Sequence, residues 1–426
     1  MIKRLRASDR TLYFILLWCL CSFKVLLGGV GEAGLRVDDL LIVLAFAVLA
    51  WRGHLRRVPR SRALNLYLLF IGINLCSSVW NSWTGRVEFI YAALFAVRLL
   101  EYLVFYYLGF VLMESGVNLW RGFQTYFYAL CVVVPLQTVG LIPVASHFNA
   151  VRASGNTNGP YELAIVAAFF LCYFGYQERK KLSATAAFAL LLLTASRITF
   201  VGTAISFVVR TLFRNRSKLR TLALAAAVVL AAWGVSAWIQ SRPGADENSE
   251  SLNNRLNNSS SLLSVSDLSA LWDVVPTYRT EQDYFQGAFI DASEFAFVSG
   301  KDASGMIRVY RWATLLKTTV SSFDSVVIGL GPSFGSAAVD GYFVRVFIET
   351  GLTGFVAFLL FARALLLQRN GAHGAFREFI IILLVTACAI DIFTSYKAML
   401  LLWTWHGMNE FTARQEDNAH SLPDAG

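Results

Sequence analysis

The feature that most constrains this chain is the recurrence of long apolar runs separated by short polar connectors. They fall at roughly 11–30, 36–51, 63–82, 88–112, 122–142, 160–177, 183–213, 220–240, 342–367, 377–394 and 396–408. Water is absent from the bilayer core, so an open segment crosses it only as a helix that closes its own hydrogen bonds, and about 20 apolar residues are needed. Composition agrees. The 426 residues are 56% hydrophobic and only 15% charged, with mean hydropathy +0.54, whereas a soluble domain carries about a quarter charged residues. The fold class read from this is all-α, a polytopic membrane protein.

The net charge of +9 does not point to nucleic acid, because Lys and Arg sit in short groups between apolar runs rather than along a groove. Basic connectors near 3–10, 52–62, 179–181, 210–220 and 363–377 are assigned to the cytoplasm, which places both termini inside. Lys3, Arg4 and Arg6 before an apolar run imitate a signal peptide, but no small-residue cleavage site follows, so the run reads as a first spanning helix. All six cysteines (Cys19, Cys21, Cys76, Cys131, Cys172 and Cys388) lie in apolar runs, and neither a disulfide nor a thiolate metal site is expected.

The same charge rule divides the run 183–213. Basic residues flank it at both ends, so it must cross twice, and its only polar break is Ser196-Arg197. Each arm would then be about 21–24 Å long against a hydrocarbon core of about 30 Å, which sinks Arg197 below the outer surface. A second such turn is read at Asp391–Lys397. About twelve crossings result. Residues 1–240 hold about nine of them, 342–410 hold about three more, and 411–426 form a cytoplasmic tail. Residues 241–341 become a large outer loop, opening on a mobile Asn/Ser-rich segment and continuing as short helices.

Charged residues inside or beside apolar runs mark candidate chemistry, since a cation at the middle of a spanning helix costs about 2.5–3.5 kcal/mol even on the lenient scale. Arg152 lies in the small-residue connector Ala153-Ser154-Gly155-Asn156-Thr157-Asn158-Gly159-Pro160, whose backbone amides could face a ligand; a tight turn bearing one solvated Arg explains it equally well. Arg197 faces either a ligand or a buried carboxylate such as Glu162 or Glu101. Arg98 and Glu101, three apart, most simply neutralise one another. Arg308 and Arg311 close the outer loop, and Arg345 with Glu349, four apart, begins the next run as a ligand pair or a plain helix-end ion pair. The glycines after Glu349 suit close helix packing. Arg152, Arg197, Arg308, Arg311 and Arg345 all map to the outer face. Converging guanidiniums suit a diphosphate, and outside the cell the diphosphate at hand is one carried on a lipid.

Arg152 to Gly159, Leu193-Thr194-Ala195-Ser196-Arg197, the large outer loop, Arg308 to Trp312, Gly329-Leu330-Gly331, and Asp340 to Gly354 with its Glu-Thr-Gly-x-x-Gly ending occur in that order. Together they resemble the O-antigen polymerase and ligase superfamily of bacterial envelope glycan assembly. The resemblance implies a metal-independent glycosyltransferase, without cofactor, that moves glycan from undecaprenyl diphosphate to an acceptor hydroxyl at the periplasmic face of the inner membrane. It implies that Arg197 with Arg308 or Arg311 holds the donor diphosphate. Ligases of the superfamily carry a histidine in the last outer segment, whereas none occurs here between His147 and His373, which favours the polymerase branch.

The expected partners are therefore a lipid-linked oligosaccharide, membrane lipid, a flippase and a chain-length regulator, and no nucleic acid. Arg152, Arg197, Arg308, Arg345 and Asn158 are the expected binding residues. Arg311 would stabilise the departing diphosphate, and Asp340 or Glu349 would orient or deprotonate the acceptor hydroxyl. A ligase acting on a lipid or protein acceptor, or a flippase for a lipid-linked sugar, is the alternative. A transporter is expected to show two similar halves, which this sequence lacks.

Overall fold

A computed structural model of the chain describes residues 7–23, 26–28, 35–143, 153–176, 180–194, 196–214, 265–287, 303–335, 339–368 and 374–420. Helix α1 (Ala7–Cys21) leads into a small antiparallel ribbon, β1 (Leu26–Gly28) with β2 (Leu35–Arg36), and on to α2 (Val37–Trp51) and the single turn α3 (His54–Arg57). Next come α4 (Arg62–Trp83), α5 (Phe89–Glu114), α6 (Leu119–Thr138), α7 (Pro160–Gly175), α8 (Lys181–Leu193) and α9 (Arg197–Arg214). The outer-loop region contributes α10 (Val265–Val274), α11 (Glu281–Gly287), α12 (Ala303–Val320) and α13 (Phe323–Ile328). The chain closes with α14 (Tyr342–Leu366), α15 (Ala375–Ala387), a 3-10 turn (Ile392–Thr394) and α16 (Tyr396–His420).

Local chemistry sets these starts. Ser61 caps α4 by accepting from the Leu64 amide at 3.0 Å, and Asn118 accepts from Arg121 at the start of α6. Pro160 occupies the first turn of α7, where its missing N–H costs nothing.

Among the described residues, three helices, α4, α5 and α14, are long and apolar enough to cross a membrane; α7 and α8 are apolar but shorter. Their surroundings fit hydrocarbon rather than water. Leu40, Val43, Leu44 and Phe46 on α2, Leu69, Val79 and Trp83 on α4, and Phe89, Ile90 and Leu94 on α5 are all exposed. Such a density of exposed apolar side chains marks a surface covered by lipid or protein.

Inside, α16 lies along α5, α14 along α4, and α15 along α9. Glycine brings the first pair together, because a Cβ at Gly109 would strike the Thr404 backbone and one at Gly407 would strike that of Tyr106. Trp403 fills the centre between Tyr67, Tyr106 and Phe361.

The run 183–213 forms two helices, α8 of 13 residues and α9 of 18, with Ser196 between them. The run 377–408 likewise divides around Ile390–Ser395. Helix α16 runs on past the last apolar residues to His420, carried by the strong helix formers Ala413, Arg414, Gln415 and Glu416. The apolar run 220–240 and the Asn/Ser-rich segment lie outside the described residues.

One spanning helix departs from its sequence reading. Glycine after Glu349 suggested close helix packing; instead α14 breaks at Gly351, with φ 62° and ψ −162°. The break frees carbonyls, and the segment after α13 satisfies them. Leu330 N donates to Ile348 O at 2.7 Å and Gly331 N to Glu349 O at 3.1 Å. Ser77 of α4 also donates to Glu349 O at 2.8 Å, and Thr353 donates to Val327 O at 2.9 Å. Irregular backbone within an apolar layer survives only when protein supplies such partners.

Gly329 and Gly351 abut: both have positive φ, and a Cβ on either would meet the backbone of the other segment. The Gly-Leu-Gly and Glu-Thr-Gly motifs therefore hold one another.

Helices α11 and α12 and the segment after α13 pack against the start of α5 and the first half of α14. Tyr284, Leu315, Leu330, Phe334 and Val339 form a small core with Val87, Ala92 and Ile348. Arg86 pairs with Asp324 at 2.7 Å, and Ser333 donates to Glu281 at 3.0 Å.

Candidate functional site

Near this end is a cavity of about 330 Å³, walled by the end of α1 and start of α2, α5, the start of α7, the approach to α14 and its first turn, and the turn between α15 and α16. Its volume falls in the range that holds small ligands.

The connector before α7 forms one wall. Glu162 accepts from Asn158 N at 2.8 Å, from Ser395 Oγ at 2.6 Å and from Lys397 N at 2.7 Å. One carboxylate thus fastens that connector to the turn before α16. Lys397 Nζ donates to Asn156 O at 2.7 Å and to Ser22 O at 2.9 Å, while the Asn156 side chain donates to Cys21 O and accepts from Tyr126.

The opposite wall is ionic. Arg345 donates through Nε to Glu349 at 2.9 Å, pairs with Asp391, and stands 5.7 Å from the centre of the Phe95 ring. The Arg345 side chain is only 5% exposed, so its charge is compensated by those carboxylates rather than by water. Asp391 uses Oδ2 for Arg345, while its Oδ1 is buried with no hydrogen-bond partner among the described residues. That oxygen keeps acceptor capacity in a cavity wall.

At the rim, Arg308 Nε donates to Asp340 Oδ2 at 2.5 Å, and Trp312 Nε1 donates to the Asp340 carbonyl. Burial works against the Arg308 charge, but Asp340 and the hydroxyl of Tyr161 outweigh it and hold the guanidinium pKa above its ordinary value. Asp340 is therefore clamped from α12 and remains two-fifths exposed, open to a ligand.

Asn158, Asp340 and Arg345 line the cavity, and Arg308 reaches it through Asp340 and Tyr161. Arg311 does not line it. It acts on Tyr284, whose phenol burial pushes up to about 12 against the pull of that charge. Arg197 begins α9, half-buried and outside the cavity walls.

Glu349 is buried in its pair with Arg345 and borders only a crevice of about 20 Å³. Its position is that of a helix-end ion pair, away from any acceptor in the main cavity. Arg152 lies outside the described residues.

Five charged wall residues carry other sequence readings or none: Arg98 reads as neutralised by Glu101, Glu162 as a partner for Arg197, Asp391 and Lys397 as marking a turn, and Asp38 has none. Charges inside apolar runs were the available signal, because each requires a partner or an aqueous recess.

The walls hold three cations (Arg98, Arg345, Lys397) and four carboxylates (Asp38, Glu162, Asp340, Asp391). This is not a bare anion cradle. It suits a ligand with both an anionic group and many hydroxyls, the anion reaching toward Arg308 at the rim. Among the described residues, no cluster of His, Cys, Asp and Glu is disposed to hold a metal ion. In comparisons with known proteins, no family model matches this chain and no curated protein matches it.

Proposed function

We propose that the chain is a membrane glycosyltransferase that polymerises lipid-diphosphate-linked oligosaccharide repeat units. The single observation that carries this reading is the cavity at one end of the spanning helices, where guanidiniums and an ammonium alternate with carboxylates. A glycosyl diphosphate and an acceptor sugar need both: cations to offset the departing diphosphate, and carboxylates to orient hydroxyls.

In this reading Arg308, at the cavity rim, receives the diphosphate, and Arg311, Arg197 and Arg152 are assigned to the donor by the sequence reading alone. The acceptor hydroxyl attacks the anomeric carbon, the carbon–oxygen bond to the diphosphate breaks, and the hydroxyl proton passes to Asp340 or Asp391. Asp340 is the exposed carboxylate, and Asp391 offers the unpartnered oxygen. The finer topology belongs to the same proposal: about twelve crossings of a bacterial inner membrane, both termini cytoplasmic, and 241–341 on the periplasmic side. The ordered motifs that resemble the O-antigen polymerase and ligase superfamily support it, and the missing outer histidine favours polymerase over ligase.

One observation favours a second reading. A spanning helix broken at mid-length, as α14 is at Gly351, is a device transporters use at substrate sites. The test that separates the two uses purified full-length protein in liposomes with undecaprenyl-diphosphate-linked repeat units. Lengthened glycan is expected, and Arg197→Ala or Arg308→Ala should abolish lengthening while leaving the protein inserted. Movement of the lipid with no new glycosidic bond would replace the enzyme with a flippase. Unchanged polymer length in both variants would remove the donor-site assignment.

A further inference from the structure

The basic end of the bundle holds a second cavity, of about 300 Å³, which the reaction above does not use. Arg345, near the start of α14, lines the first cavity and Arg363, near its end, lines the second, so the two cavities lie at opposite ends of that helix. The start of α4, the last turns of α14 and the second half of α16 enclose it.

Its floor is a chain of hydrogen bonds with one consistent direction. Gln368 Nε2 donates to Glu410 Oε1 at 2.6 Å, so its Oε1 faces His406 Nδ1 at 2.7 Å. An amide oxygen only accepts, hence Nδ1 carries the hydrogen and Nε2 is left as an acceptor. Ser61 Oγ, 2.8 Å away, then donates to Nε2 while it accepts from Leu64 N. Every member is satisfied, and the buried imidazole is neutral. The floor therefore contributes one charge, that of Glu410.

Arg62 and Arg363 stand over this floor. Both are exposed, line the cavity, and form no ion pair among the described residues. Charged groups on the walls are two guanidiniums and one carboxylate, a net single positive charge. That balance matches a phosphodiester, which carries one negative charge, better than a phosphate monoester or a diphosphate. Glu410 and Gln368 add polar capacity for hydroxyls beside the phosphate. A basic recess between spanning helices at the cytoplasmic side is also the setting in which anionic lipid headgroups bind.

We propose that this cavity binds a monoanionic phospholipid headgroup of the phosphatidylglycerol type, with Arg62 and Arg363 on the phosphate and the Glu410–Gln368 end of the floor on the glycerol hydroxyls. The proposal stands on the second cavity alone and does not depend on the outer-face reaction. It makes the headgroup a bound component of the protein at the face opposite the glycan site.

The test is native mass spectrometry of the full-length protein released from detergent, titrated separately with phosphatidylglycerol, phosphatidylcholine and soluble glycerol phosphate. Phosphatidylglycerol should give a discrete one-lipid adduct at least tenfold tighter than phosphatidylcholine. Arg62→Gln with Arg363→Gln should weaken it at least tenfold, and Arg52→Gln with Arg56→Gln, on the same face but outside the cavity, should leave it unchanged. Glutamine keeps length and polarity, and the thermal midpoint of each variant verifies folding; should the double variant fail to fold, each single variant is expected to weaken the adduct at least threefold. Equal retention of the two lipids, or retention of phosphatidylglycerol unaffected by the cavity substitutions, overturns the proposal. Glycerol phosphate binding as tightly as the lipid would replace the lipid with a soluble phosphate ligand and so overturn it too.

Discussion

Gly351→Ala is the most direct probe of the broken helix. At φ 62° an alanine carries a left-handed penalty of roughly 1–2 kcal/mol. Its Cβ would also sit 2.5 Å from the Val327 carbonyl carbon and 2.6 Å from Gly329 N, both backbone atoms that no rotamer change can move. The 327–331 segment must then withdraw, and the Leu330–Ile348 and Gly331–Glu349 bonds are lost. At about 1 kcal/mol net for each bond, the total destabilisation is about 3–4 kcal/mol. The measurement is equilibrium unfolding in mixed detergent micelles, read by tryptophan fluorescence. Gly72→Ala is the control, because its Cβ would meet nothing within 4 Å and its helix should gain about 0.5–1 kcal/mol. If Gly351→Ala came within about 0.5 kcal/mol of the parent, the 327–331 segment would not be holding the break, and the account of both glycine motifs would fail.

Four further outcomes are expected. Gly407→Ala should cost about 1–3 kcal/mol by prising α16 from α5, measured in the same unfolding assay. Lys397→Met leaves the Asn156 and Ser22 carbonyls without their charged donor and should cost about 3 kcal/mol; an unchanged midpoint would dismiss Lys397 as the tie between these segments. Burial raises the Glu281 pKa above the ordinary carboxylate value, so its contribution to stability is fully present below the unfolded pKa and is lost as pH rises through the folded one. Glu281→Gln should flatten that fall in a series of unfolding curves between pH 4 and 8. Asp340→Asn should slow glycan lengthening at least about tenfold, and as a part-exposed pair with Arg308 it should cost under about 1 kcal/mol in stability; full turnover in the liposome assay would remove Asp340 as acceptor base.

The helical character of the chain and its long apolar helices were legible because they depend on apolar runs, which are local. The same bookkeeping located the break at Ser196, where a single polar pair interrupts a run whose two ends are both basic. The end of α16 was less legible, since apolarity stops near Met408 while helix propensity does not.

Within the site, Arg345 and Asp340 stood out as charges at an apolar boundary. Asp391 and Lys397 carried the same signal, yet what they touch depends on distant pairings, Asp391 with Arg345 and Lys397 with Glu162. The break at Gly351 was hidden for a similar reason. A Glu-Thr-Gly sequence reads as unbroken helix until the segment that takes over its hydrogen bonds is in place.

That dependence bears on how the protein is made. Synthesis delivers α13 and residues 328–331 before α14, so the partners for the broken turn already exist when α14 emerges. They must nevertheless dock against α14 for Ile348 and Glu349 to keep their carbonyls bonded in an apolar layer. Stable burial of this helix is thus an assembly step that waits on α13 and the segment after it, and damage to α13 should surface as a fault in membrane integration before it surfaces as a fault in chemistry.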